Sequence, residues 1–176
     1  PNKNMEEEFE GAIKYQKQYS KDNIEQIEYM SNLLELKNLK VDELMTHRND
    51  ISYIDLSDPI EKIIKYLKVN NFTRVPVIKK NFENVLGILD IRDLLKSEIT
   101  LNELNQDRIV DHLNDPWFIP ENKMAIKQLI DFKSKREHMA LIVDEYGAVQ
   151  GLISFEDIIE EIIGEVFDET DVENSY

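Results

Sequence analysis

The chain has 176 residues, of which 41% are hydrophobic and 32% charged, with five glycines, five prolines and no cysteine. That composition fits one packed domain or two small halves sharing a core rather than a disordered chain, and the lack of cysteine excludes disulfides, zinc ribbons and thiol chemistry. Twenty-one bases against 36 acids leave a net charge of −15, a surface that repels nucleic-acid backbones and anionic headgroups, so no nucleic-acid partner is expected.

The chain opens on Pro1 and reads as an excised or processed piece. No signal peptide is visible, and no apolar run approaches the ~20 residues of a membrane-spanning helix. Residues 1–20 are polar, with Glu6, Glu7 and Glu8 in a row, and read as a loosely held leader. From Asp22, an N-cap candidate with Glu25 three residues on, a helix is expected with Ile24, Ile27, Met30 and Leu34 on one face. Leu36, Leu39 and Val41 lead on to Met45-Thr46.

Asp58 as cap and Pro59 at the first position open the next helix, whose stripe is Ile60, Ile63, Ile64 and Leu67. Strand, turn, strand and helix follow, from Arg74-Val75-Pro76-Val77-Ile78 through Val85–Leu89 to Asp90-Ile91-Arg92-Asp93. A second helix stripe, Met124, Ile126, Leu129, Ile130 and Phe132, precedes the same succession: His138–Val143, a turn at Asp144–Gly147, Val149–Ser154 and a last helix. A constant separation of 64 residues maps Arg74 to His138, Gly87 to Gly151, Asp90 to Ser154 and Asp93 to Asp157.

Each copy is about 55–60 residues of β-α-β-β-α, which buries too little apolar surface to stand comfortably alone. The expected fold is therefore α/β: two repeats packed sheet to sheet with pseudo-twofold symmetry, preceded by an N-terminal helix. The expected divisions are a leader and linker helix over 1–40, repeats over 41–104 and 105–164, and an acidic tail over 165–176.

Two such repeats, each carrying Gly-hydrophobic-hydrophobic-(Ser/Asp)-x-x-Asp, resemble a tandem CBS-domain pair, or Bateman module. Val41-Asp42-Glu43-Leu44-Met45-Thr46-His47-Arg48, Arg74-Val75-Pro76-Val77, His138–Gly147 (HMALIVDEYG) and Phe155–Glu165 (FEDIIEEIIGE) are similar to stretches of the CorC/HlyC (CNNM-like) magnesium-transport family. Thr73 stands where that family usually has Ser. The resemblance runs over roughly residues 22–170. It implies the regulatory module of a magnesium/cobalt (divalent-cation) transporter or efflux protein, on the cytoplasmic side of the cell membrane. It also implies a homodimer that binds ATP or AMP and works with the membrane domain of the same full-length protein. The family's membrane domain and small C-terminal domain have no counterpart in these residues, so transport itself is not expected of them. The "hemolysin" label used in the family finds no pore-forming pattern here.

Ser154-x-x-Asp157 opens the last helix. It is a capping box by spacing. The same geometry suits a phosphate at free N–H groups and the Ser154 hydroxyl, and the resemblance implies an adenine nucleotide there with Asp157 on its ribose. Arg74 is either a surface ion-pair partner or a phosphate clamp. By resemblance, Thr46, Phe72, Val75 and Pro76 line the adenine side, with Phe72 equally readable as core. Asp90 and Asp93 form the equivalent pair in copy one, where Asp90 brings negative charge in place of a donor, so a second pocket with His138 should be weak or empty. His138 is readable as a structural hydrogen-bonder or, when protonated, a phosphate partner.

His47 and His112 lack ligand spacing, so no metal site is expected. The acidic run from Glu156 to Glu173 reads as a solvated face, with magnesium entering as the partner of a bound ATP. No phosphate-binding glycine loop or nucleophile motif is present, so the chain is not expected to be an enzyme. The rival readings are a structural dimerisation module without ligand and a regulator of a soluble enzyme.

Overall fold

The computed structural model describes residues 24–96 and 103–164. Helix α1 covers residues 24–36, and α2 (Val41–Leu44), β1 (Thr46–His47), a 3-10 turn (Arg48–Asp50) and β2 (Ile54–Asp55) follow. Copy one continues with α3 (Ile60–Val69), β3 (Arg74–Lys79), β4 (Asn81–Asp90) and α4 (Ile91–Lys96). Then come α5 (Gln106–Asp111), β5 (Leu113–Asn114), β6 (Phe118–Pro120), α6 (Ala125–Lys135), β7 (Met139–Val143), β8 (Val149–Ser154) and α7 (Phe155–Ile163).

The strands form two four-stranded sheets, in the orders β1-β8-β7-β6 and β2-β3-β4-β5. In each, a parallel strand and an antiparallel hairpin come from one copy, as β-α-β-β patterning requires. The fourth strand comes from the other half of the chain. Thr46 pairs with Leu152, and Leu113 pairs with Leu89. Glycine permits both crossings. A Cβ at Gly151 would lie 2.5 Å from Met45 Sδ and 2.6 Å from the Thr46 carbonyl oxygen, and one at Gly87 would lie 2.8 Å from the Asn114 carbonyl oxygen.

One core lies over each sheet, and a third lies between them. Ile63, Val75, Val77 and Leu89 fill the first with Ile109; Val41, Ile119, Phe132, Ala140 and Ile153 fill the second with Leu36. The third joins Ile51, Ile78, Phe82 and Ile88 from the first half to Leu141, Val149 and Leu152 from the second. This is the shared core that the small size of each copy demands. Burying each of the Val, Leu, Ile and Phe side chains among them contributes about 1.5–3 kcal/mol.

Four details differ from the sequence expectation. First, the hairpin registers pair Arg74 with Asp90 but Met139, not His138, with Ser154. The Ile91 amide donates to the Thr73 carbonyl and the Phe155 amide to that of His138. His138 is thus the counterpart of Thr73, and Met139 that of Arg74. Copy one accommodates an extra residue in its hairpin, where the register shifts beside Ile78 and Lys80 takes φ 72°. Second, Asp58 does not cap α3. Pro59 occupies the N-cap, and the Asp58 carboxylate pairs with Lys62 at 2.7 Å.

Third, α6 starts at Ala125, which turns Gln128 fully inward and leaves Ile130 61% exposed. Fourth, the stripe Ile24, Ile27, Met30 and Leu34 on α1 is open to solvent, while Leu36 is buried and Asn32 Nδ2 donates to the Ile162 carbonyl of α7. Asp22 and the acidic tail lie outside the described residues.

Because the β1–β8 crossing has no room for a side chain, Gly151→Val forces Met45 and the Thr46 backbone apart. The expected loss is about 1–3 kcal/mol of folding stability by urea unfolding, whereas an unchanged midpoint would show that the close approach is not structural.

Candidate functional site

The two hairpins run side by side, so the start of β3 and the end of β8 reach the same edge. There a cleft of about 500 Å³ opens. Copy one contributes Asn71, Phe72, Thr73, Arg74 and Arg92, and copy two contributes His138, Met139, Ser154, Glu156, Asp157 and Glu160. Neither copy holds a complete wall.

Copy two supplies the rigid corner. Ser154 Oγ accepts from the Asp157 amide at 3.1 Å, and Asp157 Oδ2 accepts from the Ser154 amide at 2.7 Å. This reciprocal box satisfies two amides at the start of α7 and fixes both side chains at the cleft. The Ser154 hydroxyl accepts in that bond, so its own O–H is left to donate. His138 Nδ1 lies 3.4 Å from Glu156 Oε1 without hydrogen-bond geometry, and its ring meets Phe155 edge-on.

Copy one supplies the positive charge. Asp90 is 6% exposed. Its Oδ1 accepts from the Arg92 amide at 3.0 Å and from Arg92 Nε at 3.3 Å; its Oδ2 meets Arg92 Nη2 at 3.0 Å and Arg74 Nη2 at 3.1 Å. Burial alone would push this carboxyl up, but the Arg92 hydrogen bonds and the two guanidinium charges outweigh it and hold it below the usual carboxylate range. Asp93, in contrast, is solvent-exposed and stands 3.8 Å from Lys96. Asp90 and Asp93 therefore do not reproduce the Ser154–Asp157 box.

Of the residues singled out in the sequence, Phe72, Arg74, His138, Ser154 and Asp157 share this cleft. Phe72 is 60% exposed at it, so it is not core. Val75 and Pro76 are buried within β3 and Thr46 sits on β1 beside β8; none of the three lines the cleft. His138 faces Glu156 and the Ser154 corner, and does not line up with Asp93. Sequence reasoning missed Arg92. The 64-residue separation places Arg92 opposite Glu156, and a base two residues after Asp90 was the available signal. Among the described residues, no cluster of three or more His, Asp or Glu side chains is placed to hold a metal ion.

Two hairpins, each closed by an edge strand from the other half of the chain, flank one shared cleft, and comparison with known proteins gives the family. The chain belongs to the CBS-domain family, whose profile matches residues 41–99 and 112–164. The pair is of the CNNM/CorC type. Hemolysin C of Brachyspira hyodysenteriae is 34% identical over 147 residues, covering 84% of this chain and 53% of its own length. The magnesium and cobalt efflux protein CorC of Pasteurella multocida is 34% identical over 146 residues, covering 83% and 48%. The chain thus spans about half the length of these relatives.

Among solved structures, the CBS domain of a bacterial CNNM/CorC family Mg²⁺ transporter in complex with ATP matches with TM-score 0.70 and 31% identity, over 80% of this chain and 99% of that one. A CBS-domain pair with bound AMP from Klebsiella pneumoniae matches with TM-score 0.65 and 30% identity, over 72% and 99%. CBS domains of this type are regulatory, not catalytic. No helix among the described residues is long and apolar enough to cross a membrane.

The lowered Asp90 carboxyl sets a pH dependence. A group depressed in the folded state contributes stability above its unfolded value, about 4, and loses it as pH falls through the folded value. The stability gap between the unsubstituted chain and Asp90→Asn in urea should be full near pH ~6 and shrink below about pH 4. A gap that does not change with pH contradicts the pairing.

Proposed function

We propose that this chain is the adenine-nucleotide-sensing module of a CNNM/CorC-type magnesium/cobalt transporter or efflux protein, working as a homodimer on the cytoplasmic side of the membrane beside the membrane domain of the same protein. One observation carries the reading: a single cleft brings together an exposed aromatic ring at Phe72, guanidinium groups at Arg74 and Arg92, the Ser154 hydroxyl and the Asp157 carboxylate. Its volume of about 500 Å³ suits a ligand of nucleotide size.

In this assignment Phe72 takes the adenine face and Asp157 accepts from the ribose hydroxyls. Ser154 donates to phosphate, and Arg74 grips it with its planar fork of donors. Val75 and Pro76, buried within β3, anchor the strand that presents Arg74, and Thr46 pairs with Leu152 at the β1–β8 edge. Glu156, Asp157 and Glu160 add negative charge along the same wall, so a phosphate-bearing ligand enters most readily with magnesium as counter-ion. The ATP and AMP found with related CBS domains support the ligand class.

The route from ligand to membrane runs through α7. It carries Asp157 at one end, and at the other its Ile162 carbonyl is bonded by Asn32 of α1. Nucleotide that favours one placement of α7 biases α1, and the bias equals its differential affinity for the two placements. A coupling of ~1–3 kcal/mol suffices for regulation. The repeat bounds 41–104 and 105–164 are part of this proposal, since the cleft draws on both.

Titration calorimetry with ATP and AMP, with and without magnesium, tests it. The unsubstituted chain should release or absorb heat on binding. Asp157→Ala should lose the signal while still melting cooperatively, and Arg74→Gln should weaken ATP more than AMP. Silence at millimolar nucleotide favours the rival, a structural dimerisation module without ligand.

A further inference from the structure

Asp90 occupies the position that Ser154 holds in copy two, yet its chemistry is reversed. Its two oxygens receive four donor contacts, three from Arg92 and one from Arg74. A carboxylate offers about four lone-pair sites, so this one has no capacity left for a metal ion or a ribose. What it holds are the two guanidinium groups that line the cleft beside the Ser154–Asp157 corner. The hold is uneven. Arg92 forks both oxygens, whereas Arg74 touches only Oδ2.

We propose that Asp90 is an internal competitor for the anion this cleft binds: its carboxylate occupies Arg74 as a phosphate would, and so sets how strongly the cleft attracts a phosphorylated ligand. The inference rests on reading the cleft as a nucleotide site and deepens it by naming the residue that tunes phosphate affinity. An incoming phosphate takes Arg74 from Asp90 while Arg92 keeps the carboxylate in place. A carboxylate directly behind the bound phosphate repels it, and a half-buried cleft screens that repulsion less than open surface does. Removing Asp90 also loosens two side chains, which is the smaller effect because Arg74, the one that grips the phosphate, is only 22% exposed and stays packed. The charge balance points the same way. Asp90, Glu156, Asp157 and Glu160 outnumber Arg74 and Arg92 at this edge, with His138 the remaining titratable group.

The test is calorimetric titration of the full chain, Asp90→Asn and Asp90→Ser with ATP, AMP, adenosine and inorganic triphosphate. Both variants should bind ATP about tenfold more tightly, AMP by a smaller factor, and adenosine as the unsubstituted chain does. Equal or weaker ATP binding by variants that melt cooperatively overturns the proposal. If no form binds nucleotide but the variants bind triphosphate more tightly, the nucleotide reading falls and the role of Asp90 stands. If neither ligand distinguishes them, both fall. In the unsubstituted chain, triphosphate should also shift the Asp90 carboxyl ¹³C resonance as Arg74 leaves it. A resonance that stays in place counts against the competition whether or not the variants fold.

Discussion

Each hairpin of this molecule has an open edge that only the other half of the chain closes. An unpaired edge exposes backbone donors and acceptors, which makes it a liability in water and a cost when buried. Here β1 covers β8 and β5 covers β4, each by a strand of two residues. The exchange requires backbone to pass where a side chain would ordinarily stand, and Gly87 and Gly151 provide the space. Once the edges are exchanged, the two sheets face each other and the core between them is built from both copies. The cleft is a consequence of the same constraint, because the start of β3 and the end of β8 are brought to one edge.

Exchange also explains why a pseudo-symmetric fold yields an asymmetric site. The repeat places Arg92 against Glu156 and Asp90 against Ser154, so what is acidic in one half is basic or neutral in the other. Copy two offers a hydroxyl and a carboxylate locked by a capping box, while copy one offers guanidinium groups locked by a buried carboxylate. Neither set alone spans the cleft. Together they place an exposed ring, two guanidinium groups, a hydroxyl and a carboxylate around one opening, in a chain whose overall charge is −15.

Much of this was legible in the residues. Alternating apolar positions, turn residues and the recurrence of Gly-x-x-(Ser/Asp)-x-x-Asp gave the hairpins, the helices after them and the need for a shared core. The exchange strands were not legible, since two residues such as Thr46-His47 carry no periodicity. The slip from Arg74–His138 to Arg74–Met139 escaped because one extra residue sits inside the first hairpin, where sequence spacing averages over it. Helix phase was the other weakness. With α6 beginning at Ala125, Ile130 faces water and the polar Gln128 faces the core, an arrangement that hydrophobicity alone ranks the other way. The Asp90–Arg92 pairing depends on distances that no spacing rule supplies.

The dependence of the whole on strand exchange is tested most directly by producing residues 1–102 and 103–176 as separate chains and following their unfolding by circular dichroism, alone and mixed. If each sheet needs an edge from the other half, neither piece unfolds cooperatively alone, and mixing them restores a single transition near that of the intact chain. A piece that folds and unfolds cooperatively by itself, unaffected by the other, would contradict it.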